Sequence, residues 1–166
     1  MIVPAFPELI EPGQWDELSL LSATLFLEAD SEPDLGKEAI AHVIMNRVER
    51  WGLPSIHDAI LGRDRRAYGD GKPYEQFSCW NDDEKMRAVR RIATSTSETT
   101  WRSWRAAAIG RWRLQPDPTH GATYYLNVDL TRKIRGGTLP GWADKLLATG
   151  RVTVIERHTF LAEASV

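Results

Sequence analysis

The 166-residue chain, with 42% of its residues hydrophobic and 27% charged, suits one soluble, globular, non-disordered domain around a single core. It holds no apolar run near the roughly 18 residues of a membrane span, and its lone cysteine, Cys79, excludes both an internal disulfide framework and a cysteine-based zinc cluster. The net charge of −2 conceals nine acids against one base, Lys37, in residues 1–40, and eight bases against one acid, Glu98, in residues 85–115.

Residues 1–13, with Pro4, Pro7 and Pro12, read as an extended arm, and residues 14–166 as a single domain, since no repeat or low-complexity linker divides them. A first helix is expected from Gln14 to Ala29, with Leu18, Leu21 and Leu25 forming one buried stripe and Asp30-Ser31-Glu32-Pro33 ending it. A second, from Asp34 to Trp51, carries Ile40, Val43, Ile44, Val48 and Trp51 on one side. Ser55 and Asp58 fit the capped start of a short third helix to Leu61. Residues 62–80 read as a polar loop with a small hairpin. Helices follow at 81–93 and 98–111, and Pro116–Gly121 forces a turn. Ala122–Asn127 reads as extended, Pro140–Leu147 as a last helix, and Arg151–Ile155 and His158–Ala162 as strands. The sum is a mostly helical α+β domain.

Glu28 falls beside Leu21 and Leu25 at about 100° per residue, at the edge of the buried stripe. It also sits in the last helical turn, where the helix dipole disfavours a carboxylate. Burial and the dipole would both favour its protonated form, as a general acid near neutral pH requires. An ordinary surface glutamate at a frayed helix end fits the position equally well.

The blocks around it narrow the choice. Glu28-Ala29-Asp30-Ser31-Glu32-Pro33, Gly36 and Ala39–Val48 resemble the opening signature of the spore-cortex-lytic (SleB-like) cell-wall hydrolases. The likeness continues through Gln76–Asn81 and Asp117–Asn127, and more weakly through Trp142 and His158-Thr159-Phe160. It implies a fold similar to the lysozyme-like lytic transglycosylases, needing no cofactor or metal. It also implies that Glu28 protonates the glycosidic oxygen between N-acetylmuramic acid and N-acetylglucosamine. The muramic C6 hydroxyl then attacks C1, leaving a 1,6-anhydro end. A hydrolytic muramidase would instead need a second carboxylate, for which Glu32 is the nearest candidate. The chain departs from the family pattern at Leu27, Asp30-Ser31 and Val128, which touches substrate preference more than reaction class.

For substrate binding the same blocks suggest Gln76, Ser78, Tyr124, Tyr125 and Asn127, with Trp80 as a sugar-stacking ring. Tyr124 and Tyr125 point to opposite faces of an extended segment, and Tyr125 is the one expected at the site. Arg47, in the buried stripe of the second helix, needs a partner, with Glu32 or another early acid as candidate. His42 and Asn46 share a face and can join in a polar link. Trp101, Trp104 and Trp112 suit core packing better than sugar stacking.

The expected partner is the glycan strand of peptidoglycan, met by a monomer. The basic stretch 85–115 either grips anionic envelope polymers or pairs with the acids of residues 1–40. No nucleic-acid partner is indicated. The opening residues, from Met1 to Glu8, lack the positive cluster and apolar core of a secretory signal. That suggests synthesis in the cytoplasm and release to the wall in the manner of a phage endolysin. Rival readings are a Cys79 peptidase with His120 or His158 as base, a zinc amidase without ligand spacing, and a non-catalytic wall-binding module.

Overall fold

The computed structural model describes residues 12–64, 74–75, 77–81 and 84–164. Helix α1 (Glu17–Ala29) begins where Asp16 accepts hydrogen bonds from the Leu18 and Ser19 amides, at 3.1 and 3.0 Å. The expected start at Gln14 falls instead in a short 3-10 turn, Pro12–Gln14. Helix α2 (Asp34–Arg50) follows Pro33, and α3 (Ile56–Leu61) is capped by Ser55, whose hydroxyl accepts from the Asp58 amide. Strands β1 (Arg63–Asp64) and β2 (Tyr74–Glu75) pair antiparallel, forming the base of the expected hairpin.

After α4 (Lys85–Ala93), α5 (Ser97–Arg111) packs on both α1 and α2. α5 comes close to α2 at Gly110, where a Cβ would lie 2.6 Å from that of Ala41. This crossing explains why α1 and α2 are buried on nearly every side rather than along one stripe. Leu20, Leu21, Leu25, Ile40, Val43 and Ile44 all lie in the core, and so do Ser22, Thr24 and His42.

Strand β3 (Tyr124–Leu126), helices α6 (Val128–Ile134) and α7 (Gly141–Thr149), and the hairpin β4 (Arg151–Ile155) and β5 (His158–Ala162) complete the domain. The three strands form an antiparallel sheet in the order β3-β5-β4, with Tyr125 opposite Phe160. One apolar cluster joins the helices to the inner face through Phe160, Ile155 and Tyr125. A smaller one holds α7 through Leu126, Leu139, Ala143, Leu146 and Leu161. The α+β expectation holds. Helix α6 was not expected, and it buries no residue.

The charge asymmetry resolves inside the molecule. Arg91 meets Asp30, Arg102 and Arg105 meet Asp34, Arg105 also meets Glu38, Arg111 meets Glu17, and Arg113 meets Glu49. Half of the eight bases, Arg91, Arg102, Arg105 and Arg111, thus pair with early acids, which weakens the support for contact with an anionic polymer.

Candidate active site

Glu28 lies half-buried in the last turn of α1. The carbonyls that end this helix are not left open. The Lys37 ammonium, only 1% exposed, donates to the carbonyls of Ala29 and, at 3.0 Å, Asp30. Arg91 donates to the Leu27 carbonyl at 3.1 Å. Two cations therefore offset the negative helix end that made Glu28 an unfavourable placement. Lys37 was not singled out from the sequence. Its signal was its standing as the one base among the first 40 residues. Burial lowers its pKa to about 8, the charge of Arg102 adding to the effect.

Four side chains gather around Glu28. The Cys79 thiol hydrogen-bonds to its carboxylate, and burial together with the Glu28 charge pushes that thiol far above its usual range. Tyr125 is raised well above its ordinary value, first by burial and then by Glu28, so its hydroxyl stays protonated. The charge of Glu28 also acts on Arg47 and His158. The His158 ring stands edge-on to Tyr125 at 5.4 Å, and Phe160 stacks on Tyr125 at 5.8 Å. Burial lowers the pKa of His158, against the opposing pull of Glu32.

Arg47 is buried, but neither Glu32 nor another early acid is its hydrogen-bond partner, contrary to expectation. Its Nε donates to the Thr123 carbonyl at 2.7 Å, and its guanidinium lies 5.2 Å from the ring centres of both Trp51 and Phe77. Nη1 is buried with no hydrogen-bond partner. Glu32 turns inward instead, 4% exposed, with Oε1 2.6 Å from Arg157 and Oε2 3.7 Å from His158 Nδ1. Gly36 leaves room for it, since a Cβ there would lie 3.3 Å from Oε2.

The remaining expected site residues divide. Tyr125 lies within electrostatic reach of Glu28. Tyr124 faces the other way, against Trp51 and Trp142. Ser78 is exposed at the start of a 3-10 turn, Ser78–Trp80, whereas Gln76 lies outside the described residues. Trp80 cannot serve as the stacking ring. It is 2% exposed, edge-on to Trp15, with its indole N–H donating to Thr24 at 3.0 Å. Asn127 caps α6, its side chain accepting from the Leu130 amide at 2.9 Å. Trp104 packs partly buried on the core, while Trp101 and Trp112 are exposed, so core packing accounts for only one of these three.

Compared with known families, the chain matches the model described as Cell Wall Hydrolase over residues 31–161, most of its length. It belongs to the cell wall hydrolase family. The expected resemblance is thereby established, and degradation of peptidoglycan is the activity that membership carries. No curated protein and no solved structure matches the chain. The match begins three residues after Glu28, so the role of that residue in this cell wall hydrolase rests on its surroundings.

One matched block is structural in this cell wall hydrolase. Asp117 accepts from the amides of Thr119 and Gly121 at 2.8 Å each, from the Thr119 hydroxyl at 2.7 Å, and from Asn46 at 2.9 Å. These bonds hold its carboxyl below the usual range despite burial. The expected link between His42 and Asn46 runs through Arg113, which donates to His42 Nδ1 at 2.8 Å and to Asn46 Oδ1 at 3.0 Å. The turn 117–121 is thereby tied to α2 through Asn46, and strand β3 follows it.

Proposed function

We propose that this cell wall hydrolase cleaves the bond between N-acetylmuramic acid and N-acetylglucosamine as a lytic transglycosylase, with Glu28 as both acid and base. The inward position of Glu32 carries this reading. A retaining or inverting hydrolase needs a second carboxylate that reaches the sugar or its attacking water. Glu32, the candidate for that part, is buried and held by Arg157. A transglycosylase needs no second carboxylate, because the substrate supplies its own nucleophile.

The steps follow from one group changing roles. Glu28 gives its proton to the glycosidic oxygen, the bond from that oxygen to C1 breaks, and the leaving sugar departs as an alcohol. The C6 hydroxyl then bonds to C1 and returns its proton to Glu28, which restores the acid. Tyr125, held neutral beside Glu28, turns a dipole rather than a charge toward the oxocarbenium-like centre. Cys79, held as a thiol, supports the same reading over a cysteine peptidase, which requires a thiolate.

Mass spectrometry of digested peptidoglycan tests the reaction, with anhydro-muramic ends expected from the parent chain and reducing ends counting against transglycosylation. Glu28→Gln should lower the rate by about 10²- to 10⁴-fold, the usual contribution of a positioned acid–base group. Full activity in that variant would sink the proposal. The proposed setting is phage-type lysis from within, for which cells making the chain should lyse only after their inner membrane is opened.

A further inference from the structure

Three aromatic rings meet beyond the Glu28 pocket. Trp51, just after α2, lies 5.6 Å from Tyr124, and Tyr124 stacks on Trp142 at 5.2 Å with 30° between the rings. Trp142 sits in the first turn of α7 and keeps 41% of its surface exposed, although Tyr124 lies against it. Packing α7 onto the sheet does not require this ring, because Ala143 and Leu146 already hold the helix.

Arg47 joins the rings to the pocket. Its guanidinium packs against Trp51 on one side and against Phe77 on the other, and Phe77 lies 6.5 Å from Tyr125. Packed flat groups therefore connect the surroundings of Glu28 to the exposed Trp142, with Phe77 and Arg47 buried beneath and Trp51, Tyr124 and Trp142 nearer the surface. They pass β3, the edge strand of the sheet. Arg47 itself is buried, so it backs Trp51 from beneath rather than meeting an occupant.

We infer that Trp51, Tyr124 and Trp142 form a second sugar-binding subsite, which holds the glycan strand several residues away from the bond cut at Glu28. Pyranose rings present flat faces of C–H groups that pack on aromatic rings. The occupant is a polymer, so a strand seated at the pocket continues past it, and the line of rings is where the structure offers it contact. Tyr124 thus joins the substrate side by a route different from that of Tyr125. This assignment rests on the glycosidase reading only for the chemistry of its occupant.

The test is calorimetric binding of peptide-free glycan, as a disaccharide and a hexasaccharide, in the Glu28→Gln background so that nothing is cut. Trp142→Leu keeps an apolar side chain against Tyr124 but removes the ring, and Trp142→Phe keeps a ring. The hexasaccharide should bind about tenfold more weakly to the leucine variant, with the disaccharide unchanged and the phenylalanine variant close to the parent. The inference is overturned by unaltered hexasaccharide binding, by equal loss for both sugars, by a phenylalanine variant as weak as leucine, or by no hexasaccharide binding at all. If the parent chain releases no sugar ends, the glycosidase reading falls, and the binding isotherms still judge the subsite.

Discussion

Replacing Glu32 by glutamine separates one-carboxylate from two-carboxylate chemistry, and the structure sets the size of each effect. Glu32 is 4% exposed and held by Arg157 at 2.6 Å, but the Arg157 side chain is 58% exposed. When its partner loses charge, Arg157 is solvated by water, so the roughly 3–5 kcal/mol of a stranded buried charge does not apply in full. The amide keeps an acceptor for Arg157, and losing the charge assistance costs about 1–2 kcal/mol. At about 2–4 °C per kcal/mol for a chain of this length, the melting temperature should fall by about 2–8 °C. Calorimetry reads that shift, and release of sugar ends from purified peptidoglycan reads kcat below the melting range. We expect kcat within about threefold of the parent, a barrier change under about 1 kcal/mol. A nucleophile or base turned into an amide would instead lose about a hundredfold or more. Such a loss at an unchanged melting temperature would refute the single-carboxylate reasoning.

Two further outcomes follow from packing and from proton linkage. Gly110→Ala places a methyl group 2.6 Å from the Ala41 Cβ and 3.1 Å from its carbonyl carbon. The gain in helix propensity of about 1 kcal/mol is outweighed, and the urea midpoint should drop by an amount worth about 1–3 kcal/mol; a raised midpoint would contradict the close helix crossing. Cys79 has an ordinary thiol value of 9.0 when unfolded and a raised one when folded, so below pH 9 both states hold the proton and its contribution is complete. Above pH 9 the unfolded chain alone ionises, and at pH 10 about 1.4 kcal/mol of that contribution is gone. Melting curves of the parent and Cys79→Ala should therefore keep a constant offset below pH 9 and shift against the parent above it, and a pH-independent offset would show the thiol to be unperturbed.

Local signals in the sequence carried well where the cause was local. Ser55, Pro33 and the β-branched runs 151–155 and 158–162 marked boundaries that the structure keeps, because capping and strand character depend on neighbouring residues. The blocks around them single out Glu28 and Tyr125, and the structure brings the two within electrostatic reach of each other. What failed depended on distant partners. Trp80 looked available beside a polar loop, yet Thr24 and Trp15 on the far side of the sequence hold it in the core. Arg47 and Glu32 both needed partners, and no spacing rule shows that one would take Thr123 and the other Arg157. Helix α6 escaped notice because it buries nothing and so leaves no apolar period to read. Its one signal is Asn127, a residue type suited to an N-cap.

The clasp between Glu32 and Arg157, and the seat of Tyr125 between His158 and Phe160, bear on how the protein is made. Glu28 is supplied by the first helix, while the groups that fix its surroundings come from the turn before β5 and from β5 itself. A chain emerging from the ribosome exposes α1 well before β5. Until that strand is released and paired, Tyr125 lacks its backing and Glu32 its counter-charge. The surroundings of Glu28 are thus completed only once β5 has followed, and a chain interrupted before β5 would carry Glu28 without the groups that β5 and its preceding turn supply.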